Sequence, residues 1–242
     1  MSDEIRDQLA PTGVLRAGIN MANKLLVTGA TPSGDPDGVG PEFARHIADG
    51  LGVPVSYVQF PTPGELADAV TENVWDIGLI GAEPTRAEKI AFTAAYVEIE
   101  ATYLVPEGSP LNTIEDVDAE GVRIAVSGRS AYDLYLSRSL KHAELHRAQG
   151  LPGALELFMA EKMDALAGLR PALTGDLDKV PGGRILDGQF TAVQQAVGTA
   201  RTKPEAAAYL SDVVEDAKAS GLIARLIEKH KVVGRLSVAG PA

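Results

Sequence analysis

In the first part of the chain, segments in which apolar residues alternate with polar ones are followed by segments in which apolar residues recur every three or four positions. The first pattern predicts strands and the second predicts helices. Residues 14–20, 53–60 and 75–80 have the pattern of strands. The segments 38–50 and 62–70 between them place apolar side chains about one helical turn apart. A β-α-β-α-β series of this kind is typical of a parallel, doubly wound sheet.

The same order of elements starts again in the second part of the chain. The predicted elements there are a β-rich run at 98–106, strands at 122–126, 144–148, 163–168, 184–190 and 191–200, and helices at 130–140, 154–161 and 204–231. Because the series occurs twice, we expect an α/β protein of two similar lobes.

Composition and charge narrow the class of protein. The 242 residues are 45% hydrophobic and 23% charged, which is ordinary for a soluble globular chain. The 22 Lys and Arg residues against 33 Asp and Glu residues give a net charge of −11. A charge of this sign repels nucleic acid and anionic lipid surfaces, so neither is an expected partner. Any anion site has to be a local positive pocket.

Several chemistries lack the residues that they need. The chain has no cysteine, which excludes disulfides and thiolate catalysis. Its four histidines, at positions 46, 142, 146 and 230, are scattered, so no metal site is predicted. No nucleotide-binding or hydrolase motif stands at a strand-to-helix turn, and we expect no cofactor.

Two features bear on location. No run of about 18 apolar residues occurs, so no insertion into a membrane is expected. The first eight residues are acidic and polar and do not resemble a secretory signal, which by itself predicts a cytoplasmic protein.

One short segment carries the clearest candidate chemistry. The small residues Gly81 and Ala82 follow the strand at 75–80, Arg86 comes next in a short helix, and Phe92 comes six residues after Arg86. A guanidinium at the mouth of a strand-to-helix turn offers a planar set of donors that matches a carboxylate. The alternative is that Arg86 is a solvated helix arginine with little energetic weight.

This segment, with Tyr96 and the run Tyr103-Leu104-Val105-Pro106, resembles the signature of the family 3 extracellular solute-binding proteins, the receptors of ABC importers for polar amino acids and related carboxylates. The resemblance extends from residue 11 to about residue 233. It implies a two-lobed, type II periplasmic-binding-protein-like fold, in which each lobe is a doubly wound sheet and two crossover hinge strands join the lobes. Lobe 1 would be 1–101 plus 196–242, and lobe 2 would be 102–195.

The resemblance also implies a function. We expect a monomeric receptor that closes on a small carboxylate-bearing ligand by a hinge motion and delivers it to an ABC importer. The family is periplasmic, whereas the N-terminus predicts a cytoplasmic chain. Two explanations remain open, a signal that was removed or a cytoplasmic branch of the family.

Candidate ligand residues follow from the expected strand ends and from the resemblance. In open α/β sheets, ligands bind beyond the carboxyl ends of the strands, where helix N-termini present unpaired N–H groups. Arg86 would clamp the carboxylate, and Ser130 would cap a helix whose first N–H groups hold an anion, unless Ser130 serves only as the cap. Arg129 stands where the family has a glycine. The candidate ligand-binding residues are Arg86, Gly81, Ala82, Ser130, Ala131, Arg170, Asn20, Asn23 and Gln194.

One departure from the family pattern bears on the ligand. Amino-acid receptors of this family usually carry an acid five positions after an aspartate that opens a strand of lobe 2, and it accepts the ligand's α-ammonium. Counted from Asp164, that position here is Leu169. Facing leucine, a buried ammonium would lack its counter-charge, at a cost of several kcal/mol. The ligand is therefore not expected to be a standard α-amino acid held in the usual way.

Three possibilities remain open for how the site is built without the acid expected at position 169. If Arg170 faces the ligand, it would favour, together with Arg86, a solute with two acidic groups or an acid and a carbonyl. Arg170 could equally face solvent. Glu83 or Glu98 could instead replace the missing acid and restore an amine site.

Two alternative functions also remain. Cyclohexadienyl dehydratases look like solute-binding proteins with lyase activity, but such an enzyme needs a general acid or base in its cleft. No residue here holds a defensible catalytic position, so no catalytic residue is assigned and we expect a protein that is not an enzyme. The other alternative is a cytoplasmic sensor or scavenger of the same ligand.

Overall fold

The structure is a computed structural model that describes residues 3–242. The chain divides into two compact units: unit 1 comprises Met1–Glu98 and Gln194–Ala242, and unit 2 comprises Ile99–Val193.

Strands and helices alternate through both units. The strands are β1 (Leu15–Asn20), β2 (Gly29–Ala30), β3 (Pro36–Asp37), β4 (Val55–Phe60), β5 (Ile77–Gly81), β6 (Ile90–Val105), β7 (Arg123–Ser127), β8 (Glu144–Ala148), β9 (Ala165–Leu169), β10 (Arg184–Ile185), β11 (Thr191–Ala200) and β12 (Ser237–Val238). The helices are α1 (Asp3–Leu9), α2 (Val39–Leu51), α3 (Pro63–Asp68), α4 (Pro84–Ala87), α5 (Ala131–Ser139), α6 (Gly150–Ala160), α7 (Arg170–Asp176), α8 (Pro204–Ala219) and α9 (Leu222–Lys229).

Unit 1 is built on a mixed sheet. β1 lies parallel to β4 on one side and to β5 on the other, and β11 runs antiparallel to β5. α2 packs on this sheet through the predicted stripe of Phe43, Ile47 and Leu51, which are fully buried. The parallel β1, β4 and β5 with their connecting helices confirm the predicted doubly wound α/β class.

A buried carboxylate fixes the start of β5. Asp76 is 1% exposed, and it accepts hydrogen bonds from the Arg16 backbone N–H at 3.0 Å and from Arg16 Nε at 2.9 Å. The Asp76 carbonyl accepts a bond from Thr199 Oγ1 at 2.9 Å. Asp76 therefore ties β5 to β1 and β11 and has a structural role.

Unit 2 repeats the arrangement with fewer strands. β7 lies parallel to both β8 and β9, and the second half of β6 runs antiparallel to β9. Its core contains the fully buried Ile124, Val126, Ala165 and Ala167. β6 and β11 each continue from one unit into the other, as predicted for the two crossover strands.

Several predicted elements have different limits in the structure. The strand predicted at 184–190 is only Arg184–Ile185, and the chain turns at Gly188, which has a left-handed φ of 76°. β6 begins at Ile90, well before residue 98. α6 begins at Gly150 and includes Pro152, since proline is tolerated in a first helical turn. The segment 204–231 is two helices, separated at Gly221 with a φ of 73°.

The helices bear on the membrane prediction as well. Within residues 3–242, no helix is both long enough and apolar enough to span a bilayer.

Candidate functional site

Arg86 lies in the short helix α4, directly after the buried strand β5. Its side chain has little contact with solvent, since the residue is 6% exposed. The Nη1 atom donates a hydrogen bond of 2.8 Å to the carbonyl oxygen of Gly81, the last residue of β5. Pro84 begins the helix at a position where its missing N–H is not needed. The reading of Arg86 as a solvated helix arginine is therefore wrong.

Three predicted residues meet at the end of β5. The Ala82 N–H donates to the Gln194 carbonyl at 2.7 Å, and Gly81 is paired in register with Gln195 of β11. Ala82 and Gln194 also line a pocket of about 390 Å³ with Thr93, Glu98 and residues 239–242. This volume is at the lower end of the range for small-molecule sites.

The two asparagines that follow β1 stabilise the turn there. Asn20 Oδ1 accepts a hydrogen bond from the Ala22 N–H at 3.1 Å. Asn23 is buried, and its Oδ1 accepts bonds from the Leu25 N–H at 3.1 Å and the Leu26 N–H at 3.3 Å. Both residues line a small cavity together with Tyr96 and Gln195. In the sequence, Tyr96 was named only as part of the family signature, and Gln195 was not singled out.

In unit 2, Ser130 caps helix α5 as predicted. Its Oγ accepts a hydrogen bond from the Asp133 N–H at 3.1 Å, and its own N–H donates to the Ser127 carbonyl at 3.3 Å. Ala131 is the first residue of the helix and is 7% exposed. The helix start is thus stabilised by the side chain of its own cap.

An aspartate that sequence reasoning did not single out supplies a negative charge at this helix end. Asp133 is 3% exposed and accepts a 2.7 Å bond from the backbone N–H of Arg129, whose φ is 62°. Arg147 Nε donates to the same carboxylate at 3.0 Å. An acidic side chain in the first turn of a helix complements the helix dipole, and Asp133 has this position in α5.

Tyr132 adds a neutral hydroxyl next to the cap. Burial raises the pKa of Tyr132 to about 12, while hydrogen bonding to Ser130 and Ser127 opposes the increase. The phenol therefore keeps its proton at neutral pH. In the sequence, the only signal for Tyr132 is its place in the first turn of a helix that follows a strand.

Arg170 opens helix α7 and is bonded within unit 2. Its Nε donates to Glu100 Oε2 at 2.7 Å, and its Nη2 donates to the carbonyl oxygens of Leu186, at 3.3 Å, and Gly188. Its side chain is 29% exposed. Leu169, directly before it, packs against the apolar core of unit 2.

The model of the bacterial extracellular solute-binding proteins, family 3, matches residues 15–232. The chain belongs to this family. Family 3 proteins bind solutes and are not enzymes, in agreement with the expectation for this chain. No curated protein matches the sequence.

Solved structures of similar shape show the fold of this family 3 protein. The solute receptor for L-cysteine of Neisseria gonorrhoeae has a TM-score of 0.78 at 17% identity, covering 98% of this chain and 99% of the other. A mutant of ArgBP from T. maritima has a TM-score of 0.75 at 21% identity, covering 95% and 99%. An ancestral amino acid-binding protein, a precursor of cyclohexadienyl dehydratase, has a TM-score of 0.74 at 21% identity, covering 94% and 99%. The predicted type II fold is thereby confirmed.

One group of possible metal ligands occurs in this family 3 protein within the described residues. Asp37, Glu42 and His230 bring ligand atoms within 4.8 Å of one another. Lys229 Nζ lies 2.7 Å from Glu42 Oε1, and His230 Nε2 lies 2.8 Å from the same oxygen. The lysine already supplies positive charge to the carboxylate, so this group provides no argument for a metal ion.

Proposed function

We propose that this family 3 protein is a receptor for a small carboxylate-bearing solute, which it delivers to an ABC importer. The observation that carries this proposal is the burial of Arg86 with one donor fixed on the Gly81 carbonyl. A guanidinium away from bulk water interacts more strongly with an anion than an exposed one does. Its position after the carboxyl end of β5 is where open α/β sheets bind ligands.

The negative net charge of the molecule means that an anion has to be bound at a local positive site. With a net charge of −11, the molecule as a whole does not attract anions. An acid must therefore be bound by specific donors, and we assign this part to the Arg86 guanidinium.

The solute is proposed to differ from a standard α-amino acid held in the usual way. The family's ammonium-binding acid is replaced by Leu169, which packs against apolar residues. Arg170 is bonded to Glu100 and to two carbonyl oxygens, which supports a structural part for it in unit 2. Acid recognition is accordingly assigned to Arg86 first, with Arg170 as a further candidate.

The first experiment identifies the solute. Native mass spectrometry of the purified protein would detect a carried-over ligand, and a melting-shift screen would compare carboxylic acids with their α-amino counterparts. A ligand at about 100 times its dissociation constant adds roughly 2.7 kcal/mol to the stability of the folded state, which such a screen detects. Stabilisation by α-amino acids alone would contradict the reading of Leu169.

The second experiment tests Arg86 with a matched control. Arg86→Gln should weaken binding of the identified acid by roughly 10- to 150-fold, since a hydrogen bond to a charged group contributes about 1.5–3 kcal/mol. Arg235→Gln removes an exposed arginine and should leave the affinity unchanged. Equal affinity of the Arg86→Gln variant and the parent protein would refute the assignment.

Location, partner and turnover need separate measurements. We propose a periplasmic receptor on the basis of the family, and localisation of the native gene product distinguishes it from a cytoplasmic sensor or scavenger. Co-purification with importer membrane subunits tests the partner. Incubation with prephenate- or arogenate-like acids should give binding without a change in absorbance, whereas turnover would favour the lyase.

A further inference from the structure

Tyr96 carries a hydroxyl group without a protein partner in the interior of unit 1. The residue is 0% exposed, and no described residue forms a hydrogen bond with its Oη atom. Its ring packs on Phe43, with the ring centroids 5.1 Å apart. Buried polar groups in folded proteins are nearly always hydrogen-bonded to protein or to ordered water. The partner of this hydroxyl must therefore come from outside the chain.

A small cavity lies where that partner is needed. Its volume is about 10 Å³, close to the space that one water molecule requires. Beside Tyr96, the polar residues of its lining are Asn20, Asn23 and Gln195. The rest of the lining is Ile19, Leu26, Val27, Gly40 and Leu79. A buried water needs two to four polar partners, and this lining offers enough of them.

Gly40 keeps the space next to the hydroxyl open. A Cβ atom at this position would lie 3.8 Å from Tyr96 Oη and 3.7 Å from the Leu26 carbonyl oxygen. Both distances are ordinary contacts, so a methyl group fits there and would take up space beside the hydroxyl. Gly40 lies in the first turn of α2, where alanine is normally the better helix former.

We infer that this cavity binds one water molecule, which hydrogen-bonds the Tyr96 hydroxyl and the amide groups around it. Asn20 ends β1, so the water connects the core of unit 1 to the carboxyl edge of its parallel strands. If the proposed function holds, this edge meets the solute, and Tyr96 contributes to its recognition through the water. The water site itself does not depend on that function.

Removal of the hydroxyl distinguishes a bonded group from an unsatisfied one. Tyr96→Phe should lower the melting temperature by about 2–4 °C, as expected for a lost hydrogen bond in a chain of this size. Tyr57→Phe is the matched control, because the Tyr57 hydroxyl donates to the Pro41 carbonyl at 3.0 Å and its loss should have a similar effect. An unchanged or raised melting temperature for Tyr96→Phe, with a lowered one for Tyr57→Phe, would overturn the inference.

Gly40→Ala provides a second test that does not rely on the tyrosine alone. If a water is present, the added methyl group displaces it. In the parent protein, the Tyr96 hydroxyl then loses its hydrogen bond, and this loss of stability offsets the gain from the higher helix propensity of alanine. In the Tyr96→Phe background the same substitution should raise the melting temperature by about 1–3 °C. An equal increase in both backgrounds would count against the water.

A crystal structure of the ligand-free protein gives the direct observation. Density for one solvent molecule within about 3.2 Å of Tyr96 Oη is expected, and it should be absent from the Tyr96→Phe variant. A cavity without density, or a Tyr96 hydroxyl bonded directly to a protein group, would contradict the inference. Failure of the acid screen would refute the proposed function and leave this result unaffected.

Discussion

Arg86 Nη1 donates a 2.8 Å hydrogen bond to the carbonyl oxygen of Gly81, so the guanidinium is bonded to the end of the strand that leads into its own helix. This bond orients the side chain before any solute arrives. Preorganised donors lose less conformational freedom on binding, which is one way in which a single arginine becomes a strong contact.

Arg86→Lys tests whether geometry matters beyond charge. Lysine keeps the positive charge but lacks the planar fork that bonds a carbonyl and a carboxylate together. We expect the affinity for the identified acid to fall at least about 10-fold, a loss of roughly 1.4 kcal/mol, as isothermal titration calorimetry would measure. Equal affinity of the lysine variant would mean that charge alone is recognised.

Arg170→Gln separates the two proposed parts for Arg170. Its ion pair with Glu100 joins side chains that are 29% and 57% exposed, and such pairs contribute about 0–1 kcal/mol. The lost bonds to the Leu186 and Gly188 carbonyls add to this, so denaturant unfolding should show a decrease of about 1–2 kcal/mol. Affinity for the acid should change little. A fall as large as that of Arg86→Gln would instead place Arg170 at the ligand.

Asp133→Asn should weaken the start of α5. The substitution removes the charge that Arg147 pairs with and weakens the acceptor for the Arg129 N–H. We expect about 2 kcal/mol of lost stability in a urea melt, within the range for a buried hydrogen-bonded carboxylate. Asp187→Asn alters an exposed aspartate of the same unit and should stay within about 0.5 kcal/mol of the parent.

Glu42 makes part of the stability of unit 1 dependent on pH. Burial by itself would raise the pKa of Glu42, but hydrogen bonds and charge from Lys229 and His230 outweigh it, and the pKa lies below its usual 4.5. A carboxyl with a lowered pKa in the folded state stabilises that state above its unfolded pKa. The contribution is lost as the pH falls through the lowered value.

Urea melts of Glu42→Gln between pH 6 and pH 3 would measure this effect. The variant should be less stable than the parent at pH 6, and the difference should shrink as the pH falls below about 4.5. Glu88→Gln, a change of an exposed acid, should follow the parent throughout. A difference for Glu42→Gln that is constant with pH would exclude the ionic contribution.

The fold could be predicted where one local pattern determined an element. α2 has its apolar stripe at one-turn spacing, and β11 has the limits predicted for it. The strand predicted at 184–190 ends at Ile185, and the backbone turns at Gly188 with a positive φ. Glycine adopts positive and negative φ about as readily, so the sequence alone did not reveal this turn.

The candidate site was less accessible to sequence reasoning. Arg86 stands in a recognisable motif, but its burial and its hydrogen bond to the Gly81 carbonyl are seen only in the structure. The partners of Asp133 and Arg170 were not predictable, because Arg147 and Glu100 come together with them only after the sheet of unit 2 has formed. The cavity at Tyr96 likewise depends on Asn20 and Gln195, which are far apart in the chain.

The chain order of the two units has a consequence for synthesis. Unit 2 is contiguous, whereas in unit 1 Gly78 of β5 pairs with Gly198 of β11. A chain that emerges from the ribosome N-terminus first therefore completes unit 2 while β5 still lacks this neighbour. Domains generally fold as units once their residues are available. The edge of β5 that pairs with β11 therefore stays unpaired until residues 195–198 have been made.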